Sequence, residues 1–178
     1  MLTMTRTGAG AALLWLTCGV ATAQADDVAD LAKFAGNYQF AGSDDQGMAI
    51  IDKAIEEAVS QMNTVKALVV SKVLEANKHF IKQVKIDLPS GRIRIKLDEL
   101  DLDAKPGEPK SLDGAGGSAK LTVRLKGGKI EQVIESDRGA FTTLYGLEQG
   151  GAVLQRDITV TDKWLDKPVR YRLTYKRR

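Results

Sequence analysis

The spacing of the apolar residues changes near residue 81, and this change limits the folds open to the chain. Residues 48–80 contain neither Gly nor Pro, and their apolar residues recur every three or four positions, as in an amphipathic helix. Beyond this point apolar and charged residues alternate, as Val84, Ile86 and Leu88 illustrate. Alternation with a period of two is typical of strands that are buried on one face. The sequence therefore predicts a helical region followed by a sheet.

The alternating segments form a regular series, because short turns separate them and their starts lie about ten to twelve residues apart. Glycine-containing turns fall at residues 89–91, 127–128, 137–139 and 150–151. No connection is long enough to hold a crossover helix, which excludes a parallel sheet. With a first strand at residues 37–42, this pattern predicts an antiparallel meander of about eight strands.

The predicted sheet carries apolar side chains on one face and charged side chains on the other, so the apolar face must be hidden from water. Either a barrel or a strongly curved sheet wrapped around the helical segment would do this. The fold class is therefore mainly β with an inserted helical segment (α+β). We expect residues 98–118, which contain two prolines and a run of glycines, to form a strand end and a mobile loop.

The helical region between the first and second strands can form one helix or two. A single helix over residues 48–80 would be about 50 Å long, longer than a domain of this size is wide. Asn63 and Thr64 are suited to ending one helix and capping the next. The apolar stripe crosses these residues without a change of phase, so one long helix is the alternative.

Residues 1–25 have the features of a cleavable signal peptide. A basic residue, Arg6, precedes an apolar run at residues 11–20, and small residues then lead to a cleavage site after Ala25. We therefore expect a periplasmic or secreted protein. A retained membrane anchor and a lipid attached to Cys18 are the alternatives.

Removing residues 1–25 from the 178-residue chain leaves a single domain of 153 residues, 26–178, without cysteine. Loss of Arg6 lowers the formal charge from +3 to +2, which argues against a nucleic-acid partner. The one remaining histidine, His79, cannot supply a zinc cluster or a catalytic triad alone. We therefore predict a protein that is not an enzyme and needs no cofactor.

Three local patterns have functional alternatives that we consider weaker than the structural ones. The glycines of residues 114–119 fit the letters of a dinucleotide-binding motif, but a strand rather than a helix is predicted to follow them. The acidic residues between 98 and 103 lack the spacing of a calcium-binding loop. His79, near the end of the helical region, would need carboxylate partners to act as a general base.

The order of strand, helical segment and meander resembles the calycins, the superfamily of lipocalins and fatty-acid-binding proteins. Residues 34–38, Phe-Ala-Gly-Asn-Tyr, are similar to the start of their first strand. Residues 43–48 lie where the helical lid of a fatty-acid-binding protein begins, and residues 169–175 resemble the closing strand. This resemblance implies a barrel that encloses a small hydrophobic ligand such as a lipid or an isoprenoid.

One feature of the fatty-acid-binding proteins is missing from the closing strand. Those proteins hold the ligand carboxylate with an Arg and a Tyr that lie two residues apart on one face. Here Arg170 and Arg172 share one face, and Tyr171 and Tyr175 share the other. The resemblance therefore does not carry that carboxylate clamp to this chain, and the helical region is also longer than their lid.

The candidate ligand contacts are aromatic residues on the predicted inner face and one arginine. Arg156 shares its strand face with Leu154, Ile158 and Val160, so it points inward and needs an acidic, hydrogen-bonding or ligand partner there, unless a bulge turns it outward. The candidate ligand-binding residues are Tyr38, Phe40, Phe141, Tyr145, Arg156, Tyr171 and Tyr175; plain core packing is the alternative for the aromatic residues.

We expect a monomer whose partner is a small hydrophobic ligand. The basic faces of the strands at residues 92–96 and 120–126 suggest peripheral membrane contact as an alternative. The second hypothesis for function is an envelope interaction protein, an assembly factor or inhibitor, whose barrel is filled by its own side chains.

Overall fold

The computed structural model describes residues 30–114 and 117–178. The predicted signal peptide, with Cys18 and the cleavage site, lies outside the described residues. Ten strands form one sheet in which every neighbouring pair is antiparallel, in the order β4-β3-β2-β1-β10-β9-β8-β7-β6-β5. The strands are β1 Gly36–Phe40, β2 Gln83–Asp87, β3 Ile93–Leu97, β4 Leu100–Ala104, β5 Lys110–Gly114, β6 Gly117–Lys126, β7 Lys129–Glu135, β8 Gly139–Glu148, β9 Val153–Asp162 and β10 Val169–Arg177.

The predicted class, an antiparallel meander with a helical insertion between the first two strands, is confirmed. The count of about eight strands is too low because the sequence predicts a strand end and a loop for residues 98–118. In the structure β4 and β5 lie in this segment, on either side of a turn at residues 105–109. Both strands have only five residues, and although β4 alternates, the prolines and glycines between residues 105 and 118 favour a loop over strands.

Two helices, α1 (Asp44–Val59) and α2 (Thr64–Asn77), connect β1 to β2. Ser43 begins α1 with a capping box, because its hydroxyl accepts from the Gln46 backbone and the Gln46 side chain accepts from the Ser43 backbone. The predicted break is confirmed, but Asn63 caps α2 rather than ending α1, and its side chain accepts from the Lys66 N–H at 2.9 Å. In the described ranges neither helix is both long and apolar enough to cross a membrane.

The sheet curls so far that β1 pairs with β10 as well as with β2, which makes a nearly closed barrel. Pairing stops between β4 and β5, which form the two edges of the sheet. The turn between them is attached to β6, because the Gly107 N–H donates to the Val123 carbonyl at 2.8 Å. The Lys110 ammonium also donates to the Asp103 carbonyl at 3.0 Å. The lysine bond joins the two edges, and a charged side chain there discourages pairing with another chain.

The barrel interior is filled by the inward side chains of all ten strands at the end opposite the helices. Tyr38, Ile86, Ile95 and Leu154 are at most 1% exposed there. Across the other end, α1 packs through Ile51 and its apolar neighbours against Val169 and adjoining residues. Apolar burial of this kind is the main stabilising contribution to the fold.

On the outer face of the sheet, the basic residues that suggested membrane contact are largely neutralised by acids. Arg92 pairs with Asp103, and Arg94 pairs with Asp101, across β3 and β4. On β6, the Arg124 and Lys126 side chains both pair with Glu131 of β7. The Lys126 hydrogen bond is the main reason that the pKa of the Glu131 carboxyl lies below its usual range, with Arg124 acting in the same direction. These pairs do not favour an anionic membrane as the partner of these strands.

The Arg177 side chain fastens the end of the barrel that lies opposite the helices. Its guanidinium donates to three backbone carbonyls, those of Lys33, Ala35 and Gly151, and to the Tyr38 hydroxyl. Its central carbon also lies 5.0 Å from the centre of the Tyr38 ring. One side chain on β10 thus joins the chain before β1 to the turn between β8 and β9.

We expect Arg177→Met to lower the free energy of unfolding by about 1–3 kcal/mol, because it removes charge-assisted hydrogen bonds to several carbonyls. Urea denaturation followed by circular dichroism measures this change. Lys176→Met is the matched control, since Lys176 is exposed on the same strand. Equal stability losses for the two variants would contradict the proposed fastening role.

Candidate ligand-binding site

The inner faces of β7, β8 and β9 form three rows of side chains that run from the helical end into the barrel. Register places Phe141 opposite both Ile134 and Val160 in the row nearest the helices. Thr143 lies opposite Gln132 and Ile158 in the second row, and Tyr145 lies opposite Ile130 and Arg156 in the third. The first row is apolar, and the next two rows bring polar groups into a buried interior. The nine residues are Ile134, Phe141, Val160, Gln132, Thr143, Ile158, Ile130, Tyr145 and Arg156.

A cleft of about 890 Å³ lies between α2 and the first of these rows. Val69, Val70 and Leu74 of α2 form one wall, and Phe141 and Val160 belong to the facing wall. Its mouth is bordered by polar residues and by an exposed tryptophan; these are Lys66, Arg138, Asp162 and Trp164. This shape, an apolar hollow with few polar groups, is that of a site for a small apolar molecule.

Arg156 is a buried cation beneath this cleft. Its side chain is 3% exposed and points inward, as the sequence predicts, and Nη1 lies 3.4 Å from the Tyr175 hydroxyl oxygen. The guanidinium carbon lies 5.8 Å from the centre of the Tyr145 ring. No carboxylate among the described residues forms an ion pair with it. Burial disfavours its charge, whereas the surrounding tyrosines favour it where they are ionised, far above neutral pH, and the pKa of Arg156 lies above its ordinary value.

Three buried polar groups in the second and third rows have no hydrogen-bond partner in the described part of the chain. They are the Thr143 hydroxyl and two groups that can only donate, Arg156 Nε and Gln132 Nε2. The other amide atom of Gln132, Oε1, accepts from the Tyr145 hydroxyl at 2.8 Å, which fixes the direction of the amide. Buried donors usually find an acceptor, so two of them in adjacent rows indicate a place where an acceptor of another molecule fits.

The tyrosines around Arg156 stay neutral far above neutral pH. Burial raises the pKa of Tyr145 and Tyr171, although the Arg156 charge acts in the opposite direction. Burial also raises the pKa of Tyr175 to about 12. Its hydroxyl donates to the Ile81 carbonyl at 2.9 Å. The cluster therefore carries one net positive charge at physiological pH.

The structure brings together most of the residues predicted from the sequence. Tyr145, Tyr171 and Tyr175 surround Arg156, and Phe141 lines the cleft. Phe40 packs edge-to-face on Tyr175, with ring centres 5.8 Å apart. Tyr38 stands apart, because its hydroxyl donates to the Phe34 carbonyl near Arg177, at the far end of the barrel.

Several residues of this site are absent from the sequence-based list. Gln132 shares its strand face with Ile130 and Ile134, and Thr143 lies between Phe141 and Tyr145, so strand parity alone could have identified both as inward. The α2 wall of the cleft has no such signal, because α2 is apolar on more than one side.

The Arg–Tyr pair that the closing strand lacks is present across two strands. Arg170 and Arg172 are exposed on the outer face of β10, and Arg172 pairs with Asp157. Arg156 from β9 meets Tyr175 from β10 inside the barrel instead. The interior thus contains a guanidinium beside a tyrosine hydroxyl, but the two groups come from β9 and β10 and not from one strand.

The acidic residues, the histidine and the glycine run that had functional alternatives show structural roles or plain surface positions in the described ranges. Asp98 accepts from the Lys82 and Gln83 backbone N–H groups, and no three potential metal ligands lie together. His79 is exposed after the end of α2. Residues 115–116 of the glycine run lie outside the described residues, and a strand, β6, begins at Gly117.

The fold is that of the calycin β-barrels, and the resemblance is architectural. A secretory abundant heat soluble protein from Ramazzottius varieornatus is 15% identical, with a TM-score of 0.55, and the match covers 82% of this chain and 96% of that one. Fatty-acid-binding protein 1 of Echinococcus granulosus is 14% identical, with a TM-score of 0.51 and coverages of 82% and 98%.

A Schistosoma mansoni fatty-acid-binding protein in complex with arachidonic acid is 13% identical to the chain. Its TM-score is 0.51, and the match covers 84% of this chain and 98% of that one. No family model matches the sequence, and no match is found among curated proteins. The similarity at these identities lies in the barrel and its helical insertion.

The raised tyrosine pKa values predict how stability depends on pH. All four tyrosines of the chain have pKa values above the ordinary value of 10.0. A phenol whose pKa is higher in the folded state stabilises the fold below its unfolded pKa, and that contribution is lost as pH rises through the folded pKa. We therefore expect stability to fall between about pH 10 and pH 12, without a tyrosine contribution to its pH dependence below about pH 9.

Phenolate absorbance of the native protein, compared with the same protein in urea, measures this effect. Tyr175→Phe removes the group with the pKa of about 12 and should remove the component of the native titration near that pH. A native titration that coincides with the urea titration near pH 10 would contradict the expected burial of the phenols.

Replacement of the buried cation should increase stability. We expect Arg156→Met to raise the free energy of unfolding by about 1–3 kcal/mol, because an apolar side chain of similar length avoids the desolvation of an unpaired charge. Urea denaturation measures the change, with the exposed Arg172→Met on the adjacent strand as the control. A loss of stability in Arg156→Met would mean that the protein itself satisfies the charge.

Proposed function

We propose that the protein is an exported, periplasmic or secreted binding protein for a small amphipathic molecule, such as a lipid or isoprenoid acid. The apolar part of the ligand occupies the cleft between α2 and the first row of inward side chains. Its head group is an anion or another strong acceptor and points into the barrel toward Gln132 and Arg156. The expected signal peptide is the basis for export.

The observation that carries this proposal is the buried, unpaired guanidinium beneath an apolar cleft. Moving a cation out of water costs several kcal/mol unless a partner compensates, so such a group is rarely kept for stability alone. Arg156 lies four residues from the cleft residue Val160 on β9, about 13 Å at 3.3 Å per residue. A ligand that spans this distance can keep its apolar part in the cleft while its head group approaches the guanidinium.

Gln132 and Thr143 lie between the cleft and Arg156, in the second row. Both are fully buried, and Gln132 Nε2 has no acceptor in the described part of the chain. A head group that enters from the cleft meets this amide first and the guanidinium next. An acceptor-rich head group, a carboxylate above all, can accept from both donors.

The solved barrels with a similar fold support this class of ligand by analogy. Two of them are fatty-acid-binding proteins, and one of these is in complex with arachidonic acid. The proposal does not transfer their residues, because Arg156 and Tyr175 belong to different strands here. We also propose a non-catalytic role, since the described residues around Arg156 offer donors and neutral phenols, and the buried carboxylate of Glu131 is held in ion pairs by Arg124 and Lys126.

A second candidate function is the interaction protein with a filled barrel. The observation that favours it is the solid packing at the end opposite the helices, where Tyr38, Ile86 and Ile95 are at most 1% exposed. The open cleft of about 890 Å³ at the helical end favours the binding protein over this candidate.

Displacement of the fluorescent probe dansyl-undecanoic acid by oleic acid and by oleyl alcohol tests the proposal. We expect Arg156→Met to weaken oleic acid binding by about 10- to 100-fold, because a charge-assisted hydrogen bond contributes roughly 1.5–3 kcal/mol. Oleyl alcohol binding should change by less than about threefold, since it carries no charge for the guanidinium to attract.

Arg172→Met provides the matched control, because it removes an exposed arginine from the neighbouring strand and leaves the interior unchanged. No probe binding by the unmodified protein, and no co-purifying lipid in its native mass spectrum, would reject the binding function in favour of the filled barrel. Equal losses for the acid and the alcohol would reject Arg156 as the head-group partner.

A further inference from the structure

Two polar side chains of the second row lie together on the inner face of the barrel. Gln132 of β7 and Thr143 of β8 are directly opposite each other, and both are fully buried. Neither Gln132 Nε2 nor Thr143 Oγ1 has a hydrogen-bond partner in the part of the chain that the structure describes. Side chains opposite one another in an antiparallel pair lie close enough to contact one ligand group. We call Gln132 and Thr143 the second-row pair.

The Tyr145 hydroxyl connects the second-row pair to Arg156. It donates to Gln132 Oε1 at 2.8 Å, so Nε2 of the same amide points elsewhere. A phenol has one proton, and Tyr145 therefore cannot donate to Thr143 as well. Burial raises the pKa of Tyr145, whereas Arg156 and Thr143 act in the opposite direction, so both lie near this phenol. The second-row pair and the guanidinium are thus within reach of one head group.

A plain carboxylate does not satisfy all of these groups at once. Its strongest contact with a guanidinium is a fork, in which both of its oxygens accept from Arg156. A carboxylate that bridges Arg156 and Gln132 gives up this fork and leaves the Thr143 hydroxyl unpaired. Buried polar groups without a partner are costly. The site is therefore complete only when the ligand brings a further oxygen to the second-row pair.

The charges of the interior indicate that this further oxygen is neutral. Among the described residues only two charged side chains are buried, Arg156 and Glu131, and Glu131 is paired with Arg124 and Lys126 on the outer face. One buried cation balances one negative charge. A phosphate ester or a second carboxylate would leave a negative charge unpaired in the interior. A hydroxyl or keto oxygen can bond to both members of the second-row pair without adding charge.

We propose that the ligand is a hydroxy or oxo acid, an amphipathic carboxylic acid with a hydroxyl or keto oxygen within a few carbons of its carboxylate. This inference rests on the proposed binding function and names the class of ligand. The carboxylate binds Arg156, the second oxygen binds the second-row pair, and the apolar chain continues into the cleft. The second row lies nearer the cleft by two residues, about 7 Å. The second oxygen therefore lies between the carboxylate and the apolar chain.

Acids of one chain length measure the contribution of the second oxygen in the unmodified protein. Hexadecanoic acid and each enantiomer of 3-hydroxyhexadecanoic acid compete with dansyl-undecanoic acid. We expect the better-bound enantiomer to bind about 5- to 100-fold more tightly than hexadecanoic acid, because its hydroxyl supplies partners to two buried groups. The enantiomers should differ in affinity, since the cleft, the guanidinium and the second-row pair hold the ligand at three points.

Two further ligands test the position and the charge of the second oxygen. The hydroxyl of 16-hydroxyhexadecanoic acid lies at the other end of the chain, in the apolar cleft, so this acid should bind more weakly than hexadecanoic acid. Hexadecyl phosphate carries about two negative charges at pH 8. It should bind more weakly than 3-hydroxyhexadecanoic acid, because a single guanidinium faces it.

Variants of Thr143 test the second-row pair directly. Thr143→Val removes the hydroxyl and keeps the shape of the side chain. It should lower the ratio of the 3-hydroxy acid affinity to the hexadecanoic acid affinity by about two- to tenfold. Thr143→Ser keeps a hydroxyl and should keep the ratio. Thr142→Val is the matched control, because Thr142 is the preceding residue of β8 and faces outward.

Equal affinities for hexadecanoic acid and both 3-hydroxy enantiomers would overturn this proposal and leave the proposed function in place. The same conclusion would follow from an unchanged ratio in Thr143→Val, or from hexadecyl phosphate binding as tightly as the 3-hydroxy acid. Failure of the probe and of every acid to bind would reject the proposed function together with this inference. A preference that Thr143→Val and Thr142→Val reduce equally would place the second oxygen elsewhere and overturn the role of the second-row pair.

Discussion

The requirement that one face of the sheet be kept from water determines most of this structure. Alternating side chains make the inner face apolar, and a meander of ten strands can cover that face only by curling until β1 meets β10. The two helices then cover the end that the strands leave open. Arg177 secures the opposite end, and the ion pairs of the outer face, such as Arg92 with Asp103, follow from the same alternation.

Arg156 is the exception to this rule, since it is a charged group on the apolar face. The neutral tyrosines that surround it offer hydroxyl oxygens but no negative charge. Its surroundings therefore favour a negatively charged ligand over a neutral ligand of the same shape. The unpaired amide of Gln132 adds a donor between the cleft and the guanidinium of Arg156. The side chains therefore become more polar from the cleft toward the interior, whereas in most proteins they become less polar from the surface to the core.

Strand periodicity is a property of neighbouring residues, so the sequence alone predicts the meander, the helical insertion, the break near Asn63 and the inward direction of Arg156. The sequence undercounts the strands, because β4 and β5 have five residues each and adjoin the prolines and glycines of residues 105–118. Which inward residues meet could not be predicted, because register across strands depends on the whole sheet. Tyr38 thus shares its parity with Phe40 but lies at the end of the barrel away from the cleft.

The pairing of β1 with β10 also bears on how the chain acquires its fold during synthesis. Tyr38 lies opposite Arg177, so the first strand gains its second neighbour only after nearly the whole domain has been made. Contacts so distant in sequence slow folding, because the intervening chain must lose much of its freedom before they form. A growing chain therefore stays without its closed barrel until β10 emerges, and its apolar inner face stays exposed for as long.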